Sequence, residues 1–121
     1  MAAGKSEGQI LQLAGMRTVL LPDDPRFPVA LRAIPRPPKR LYVLGDPEAL
    51  AEGLAVVGAR KATPYGIGAA KRFARLAAQR GIAVISGGAR GCDAAAHEAA
   101  LSEGAPTVAF LGGGCDVPYP R

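Results

Sequence analysis

The sequence predicts an α/β fold in which a Rossmann-like parallel sheet is flanked by helices, and three observations predict it. Three short apolar runs, LAVVG (54–58), IAVIS (82–86) and TVAFL (107–111), have the length and β-branched content of buried strands. The two intervals between them each carry a helix with its own start and stop signals. All the joints are short, and strand–helix–strand–helix–strand with short joints is a parallel sheet with right-handed crossovers.

The elements follow in chain order. Residues 1–40 read as a lead-in: an apolar stretch Ile10–Met16, a strand Thr18–Leu21, then PDDPRFPVALRAIPRPPKR. So many prolines remove the backbone donors that a long helix or a central strand needs, leaving room for one helical turn around Val29–Ile34. From Leu41 to the end, residues 41–121, the chain reads as the first part of the Rossmann-like domain. LYVLG is a brief strand, Asp46-Pro47 opens a short helix as N-cap and first helical residue, and LAVVG is the first buried strand.

Thr63-Pro64 gives the same cap-then-proline signal for a helix running to about Arg80, ended by Gly81. Helical spacing puts Ile67, Ala70, Phe73, Ala74 and Ala77 on its core face, with Lys71, Arg72, Arg75 and Gln79 opposite. IAVIS is the second strand. Asp93 is placed to cap a helix from about Ala94 to Glu103, Gly104 stops it, and TVAFL is the third strand.

The length of 121 residues suits one small domain, and no repeat or low-complexity tract interrupts it. The net charge of +5 is unevenly spread. Arg26 to Arg40 holds five basic residues and no acid, and Arg60 to Arg80 holds six and no acid. Blocks of this kind suit a polyanion, because each neutralised phosphate releases counterions. A solvated basic surface is the plainer alternative.

Cys92 and Cys115 are too far apart for CxxC chemistry, and a single His gives no zinc set. Both cysteines read as small apolar fillers. MAAGKSEGQI lacks a signal-peptide core and no apolar run reaches bilayer length, so a cytoplasmic location is expected.

In a parallel sheet the loops leaving the carboxyl ends of the strands gather on one edge, where ligands bind. Here they are GARKATPYG, SGGARGCD and GGGCDVPYP. Glycine backbone approaches an oxyanion closely and aims N–H groups at it, which makes phosphate the expected guest. The candidate contacts are Gly58, Arg60, Lys61, Ser86, Gly87, Gly88, Arg90, Gly112 and Gly113. Ser86 would add a hydroxyl donor, and Arg60 and Arg90 would grip phosphate oxygens in bidentate fashion. A surface Arg paired with a nearby Asp is the structural alternative for Arg60.

A dinucleotide site would need G-x-G-x-x-G after the first strand and an acid ending the second. Gly-Ala-Arg-Lys and Ser86-Gly87 stand there instead. The G-x-x-x-x-G-K-[ST] pattern is also missing, so neither NAD nor ATP hydrolysis is expected, and no cofactor or metal is assigned. His97 aligns with Ala94 and Leu101 and reads as a packed or helix-orienting residue, since no Ser or Cys nucleophile pairs with it. Asp116, in a Gly-rich turn, is expected to bond its own backbone. Tyr65 is the one aromatic beside a binding loop, with helix packing as its structural role.

VVGARKATPYG, SGGARGCDAAAHEAAL and LGGGCDVPYP, in this order and spacing, resemble the core motifs of the DNA-processing protein A (DprA/Smf) family. The segment PDDPRFPVALRAIPRPPKRLYVLGD resembles the stretch preceding the first motif, so the likeness covers about residues 18–121. The resemblance implies a non-enzymatic accessory protein of natural transformation. Such a protein binds and protects single-stranded DNA and helps to load the RecA recombinase, with Arg60 and Ser86, Gly87 and Gly88 in its phosphate pocket.

Members of that family continue well past the Tyr-Pro of the third motif, with further strands, basic residues and the surfaces for self-association and RecA, and often carry a small helical domain in front. Set against them, the chain is expected to be the incomplete front half of the domain, with one sheet edge open. Two rivals are weighed against this reading. One is an enzyme of the nucleotide phosphoribohydrolase (LOG or lysine-decarboxylase-like) type, whose P-G-G-x-G-T-x-x-E signature is absent here; the other is a gene fragment without function.

Overall fold

Two four-residue strands, β1 (Arg17–Leu20) and β2 (Leu41–Leu44), pair antiparallel with Arg17 opposite Leu44 and Leu20 opposite Leu41. The computed structural model to which they belong describes residues 15–50 and 52–113. The stretch Ile10–Met16 lies mostly outside the described residues, and Cys115 and Asp116 lie wholly outside them. Between the two strands the proline-rich chain turns back on itself, and its only regular element is the four-residue helix α1 (Val29–Arg32). Leu20 and Phe27 of this part of the chain are fully buried.

Asp24 organises the turn. Its carboxylate accepts hydrogen bonds from the backbone N–H of Arg26 at 2.8 Å and from the Arg26 guanidinium at 3.1 and 3.0 Å. Those bonds hold the Asp24 carboxyl below its ordinary range and raise Arg26 in turn. Arg32 spans the same turn, donating to the carbonyls of Asp24 and Phe27 while its guanidinium stands 5.8 Å from the centre of the Phe27 ring. Two members of the first basic block thus serve the fold. After β2, Asp46 caps a single 3₁₀ turn, Pro47–Ala49, by accepting from Glu48 N at 3.0 Å.

The chain divides into two compact units, residues 1–51 and 52–121. The sequence reading is a lead-in over residues 1–40 and the first part of a Rossmann-like domain over 41–121. LYVLG has the apolar content of a sheet strand, but it pairs with β1 and lies in the first unit, which ends eleven residues after Arg40.

The second unit holds β3 (Gly53–Ala55), β4 (Ala83–Ser86) and β5 (Thr107–Ala109), all parallel, in the order β3-β4-β5. The strands are shorter than the apolar runs that predict them. β3 was expected to be buried, yet all three of its residues are exposed, because it is an outer strand of the sheet. Val57, Phe110 and Leu111 are exposed as well.

Helix α2 (Pro64–Gln79) connects β3 to β4, and α3 (Cys92–Ser102) connects β4 to β5. Thr63 caps α2 by accepting from Gly66 N at 3.1 Å, Pro64 occupies the first helical position, and Gly81 follows its end at φ 71°. Both helices pack on the Val84 face of β4 and against each other. Their contact is built almost entirely from alanine: Ala74 and Ala77 of α2 meet Ala96, Ala99 and Ala100 of α3. A second cluster, Ala70, Cys92 and Ala95, continues it towards the carboxyl edge of the sheet, with Val56, Ala62 and Ile67 alongside.

Phe73 departs from the expected core face and is 59% exposed. An interface of methyl groups brings the helix axes close, and the arc that fits between them runs through Ala70, Ala74, Ala77 and Ala78. A benzyl group has no room in that arc, so Phe73 stands on the flank with Tyr65 and Leu76, which are also exposed.

Candidate nucleic-acid interface

Because β3, β4 and β5 run in one direction, the three loops that follow them emerge on one edge, and here they are packed backbone to backbone. The first loop touches the second at glycines. Gly91, at φ 76° and ψ −123°, ends the β4–α3 loop as the N-cap of α3, and a Cβ there would stand 2.3 Å from the Ala59 carbonyl oxygen and 2.6 Å from that of Arg60. The next residue, Cys92, donates its backbone N–H to Ala59 O at 3.4 Å. Gly58 faces the same junction, and a Cβ on it would lie 2.5 Å from Cys92 Sγ. Only residues without a side chain allow the two loops to close on each other in this way.

The second loop meets the third through the ladder. Phe110 N donates to Ser86 O at 2.9 Å, beside Gly87, and Gly112 and Gly113 follow as exposed residues. Arg60, Lys61 and Arg90 are exposed on this edge, and Arg60 and Arg90 are brought close by the contact of Gly91 with the Arg60 carbonyl. The sequence-predicted glycines and cations thus converge. Further along the chain, Arg75 of the second basic block pairs with Glu103 at 3.6 Å, and Arg80 caps Leu76 O at 3.2 Å.

Ser86 takes a different place from the one expected of it. It is 4% exposed, and its hydroxyl donates to the Val56 carbonyl at 2.5 Å, tying β4 to the residue following β3. Ser86 ends its strand on the helix-facing side with Val84, so the hydroxyl proton is used inside the sheet and is not displayed to a ligand.

Asp93 also corrects the sequence reading. Helix α3 starts at Cys92, two residues earlier than predicted, so Asp93 lies inside the first turn and Gly91 is the N-cap. From there the buried carboxylate reaches back under the loop, accepting from Ala89 N at 3.4 Å, and it would lie 2.8 Å from a Cβ on Gly87. An acid in the first turn also suits the positive end of the helix.

His97 is where sequence reasoning stopped short. Spacing puts it at the border of the apolar face, but nothing in the sequence says what it touches. Its Nε2 is 2.8 Å from the Gly87 carbonyl oxygen and its Nδ1 is 2.6 Å from Thr107 Oγ1. The Thr107 hydroxyl is in turn 3.1 Å from Val84 O. One imidazole therefore joins α3, β5 and the second Gly-rich loop.

With this geometry in view, the comparison with known families is decisive: residues 18–121 match the profile of DNA recombination-mediator protein A. The chain belongs to that family, which also goes by the names DprA and Smf. A DprA protein of Mycobacterium tuberculosis is 42% identical over 126 residues, a span that covers 93% of this chain and 32% of that protein. The Smf protein of Escherichia coli is 40% identical over 104 residues, covering 84% of this chain and 28% of that one.

Among solved structures, DprA of Streptococcus pneumoniae superposes with a TM-score of 0.79 at 29% identity, covering 97% of this chain and 41% of that one. DprA of Helicobacter pylori, described for its single-stranded DNA binding mode, gives 0.74 at 32% identity, with 88% and 47% covered. The chain thus spans about a third of the length of the M. tuberculosis relative and less than half of either solved structure. The M. tuberculosis and Bacillus subtilis relatives are named as DNA processing proteins.

Proposed function

We propose that the carboxyl edge of the parallel sheet is a single-stranded DNA contact that works through phosphate. The observation that carries this reading is the backbone closure of the first two loops at Gly91, which gathers Arg60, Lys61 and Arg90 beside Gly58, Gly87 and Gly88. Gly112 and Gly113 extend the same edge. Guanidinium groups and glycine N–H donors fit a phosphate and read no base, so binding is weakly selective for sequence and steeply dependent on salt. The H. pylori relative, described as a single-stranded DNA binder, supports the choice of ligand.

On this reading the protein is an accessory factor of DNA uptake and recombination, acting in the cytoplasm without turnover. RecA and a second copy of the protein are partners proposed for the whole protein. None of the described helices is long and apolar enough to cross a membrane.

The test is fluorescence anisotropy of a labelled oligothymidylate across a salt series, with Arg60→Ala beside the parent chain. The expected result is binding that weakens as salt rises. Arg60→Ala should lower the affinity about tenfold and reduce the slope of log affinity against log salt by about one. Salt-independent binding, or an Arg60→Ala variant indistinguishable from the parent, would refute the reading.

A further inference from the structure

We propose that His97 is a positioning residue for the anion contact: by holding the Gly87 carbonyl inward it turns the Gly88 N–H outward as a phosphate donor. The inference rests on the reading of the β4–α3 loop as part of the DNA contact.

The bonding follows from counting protons. A backbone carbonyl only accepts, so the imidazole must carry its proton on Nε2 to bond Gly87 O at 2.8 Å. Thr107 has one hydroxyl proton and two acceptors in reach, His97 Nδ1 at 2.6 Å and Val84 O at 3.1 Å. With Nε2–H on Gly87 O, Nδ1 faces the Thr107 hydroxyl, which fixes the other side of the ring.

What the latch does to the loop is set by peptide geometry. A trans peptide is planar, with C=O and N–H pointing in opposite directions. With the Gly87 carbonyl drawn towards His97, the N–H of the same peptide unit, which belongs to Gly88, points away from it. The following N–H, that of Ala89, is taken by Asp93 Oδ2. Among the described residues no hydrogen bond takes the Gly88 N–H. His97 and Asp93 therefore pin the loop on both sides of one displayed donor, and the loop holds that conformation before any ligand arrives. Preorganisation of this kind strengthens binding by removing the ordering cost.

The experiment compares His97→Leu, which keeps bulk without a donor, with His97→Gln, whose amide can donate to Gly87 O. Oligothymidylate affinity and thermal midpoint are measured for both. The expected result is about tenfold weaker binding for Leu and binding within about threefold of the parent for Gln, with Leu retaining a cooperative melt.

Parent binding that His97→Leu leaves within about twofold overturns the positioning role and leaves the DNA reading standing; so does equal weakening in Leu and Gln at matched midpoints. No binding by the parent overturns both. Should His97→Leu not fold, the parent decides alone. In a ¹⁵N–¹H titration with oligothymidylate, Gly88 is expected to show the largest downfield amide shift of the loop while Ala89 stays in place. A Gly88 amide that does not move overturns the proposal.

Discussion

Gly91→Ala is the sharpest probe of how the first two loops meet. The substitution meets two penalties. The backbone at φ 76°, ψ −123° is one that L side chains rarely adopt, and holding a residue in such a region costs about 1–3 kcal/mol. In addition, the new methyl would sit 2.3 and 2.6 Å from the carbonyl oxygens of Ala59 and Arg60. These are backbone atoms that cannot swing aside, so the loop must move, at an overpacking cost of about 1–3 kcal/mol. The total, about 2–6 kcal/mol, is a large share of the stability of a small domain.

Gly104 supplies the control, since it too has positive φ, 68°, but a Cβ there meets nothing within 4 Å. Urea unfolding followed by circular dichroism, run on the parent and both variants, gives each loss from midpoint and slope. Gly91→Ala should exceed Gly104→Ala by the contact contribution of about 1–3 kcal/mol, and where it still folds it should bind oligothymidylate more weakly. Losses that agree within about 0.5 kcal/mol would refute the backbone closure and, with it, the gathering of Arg60 beside Arg90.

Ser86→Ala should cost about 1–3 kcal/mol in urea unfolding by leaving the Val56 carbonyl without its donor, while the folded variant binds oligothymidylate like the parent. If affinity fell and stability did not, Ser86 would be a ligand contact after all. Phe73→Ala should change stability by less than about 0.5–1 kcal/mol, whereas Ala74→Leu, forced into the helix–helix seam, should cost about 1–3 kcal/mol in the same assay. The Asp24 carboxyl, held low by Arg26, contributes stability above its unfolded-state pKa and loses that contribution as pH falls through the lower folded value. Carboxyl ¹³C titration should accordingly show Asp24 below the usual aspartate range, and Arg26→Gln should return it there.

The second unit was legible in the sequence because its signals are local. Thr63-Pro64 and Gly81 bound α2 within one residue of the reading, IAVIS and TVAFL each contain a parallel strand, and LAVVG overlaps β3 at Leu54 and Ala55. What the sequence could not supply is the partner of each element. LYVLG looks like any other strand, and only its pairing with β1 assigns it to the lead-in. Periodicity put Phe73 in the core because it ranks residues by hydrophobicity. The alanine seam, though, selects for smallness.

The site shows the same division. Glycine and arginine at the strand ends were readable as an anion edge, since the residue types themselves carry the chemistry. The inward turn of Ser86 depends on the parity of one strand relative to the helices. The reach of His97 to Gly87 and Thr107 is a meeting of residues ten apart in either direction, for which no sequence pattern stands.

The strand order β3-β4-β5 has a consequence for how the second unit comes into being. Each strand lies next to the one made just before it, so every strand–helix–strand step can close while the chain is still emerging from the ribosome. Val84 can pair with Leu54 and receive Ala74 and Ala77 before α3 exists. The closure of β5 onto β4 brings Thr107 to His97 and finishes the latch on Gly87. The anion edge thus depends on the closure of β5 onto β4, and chains cut before residue 107 should hold the helices without the finished loop.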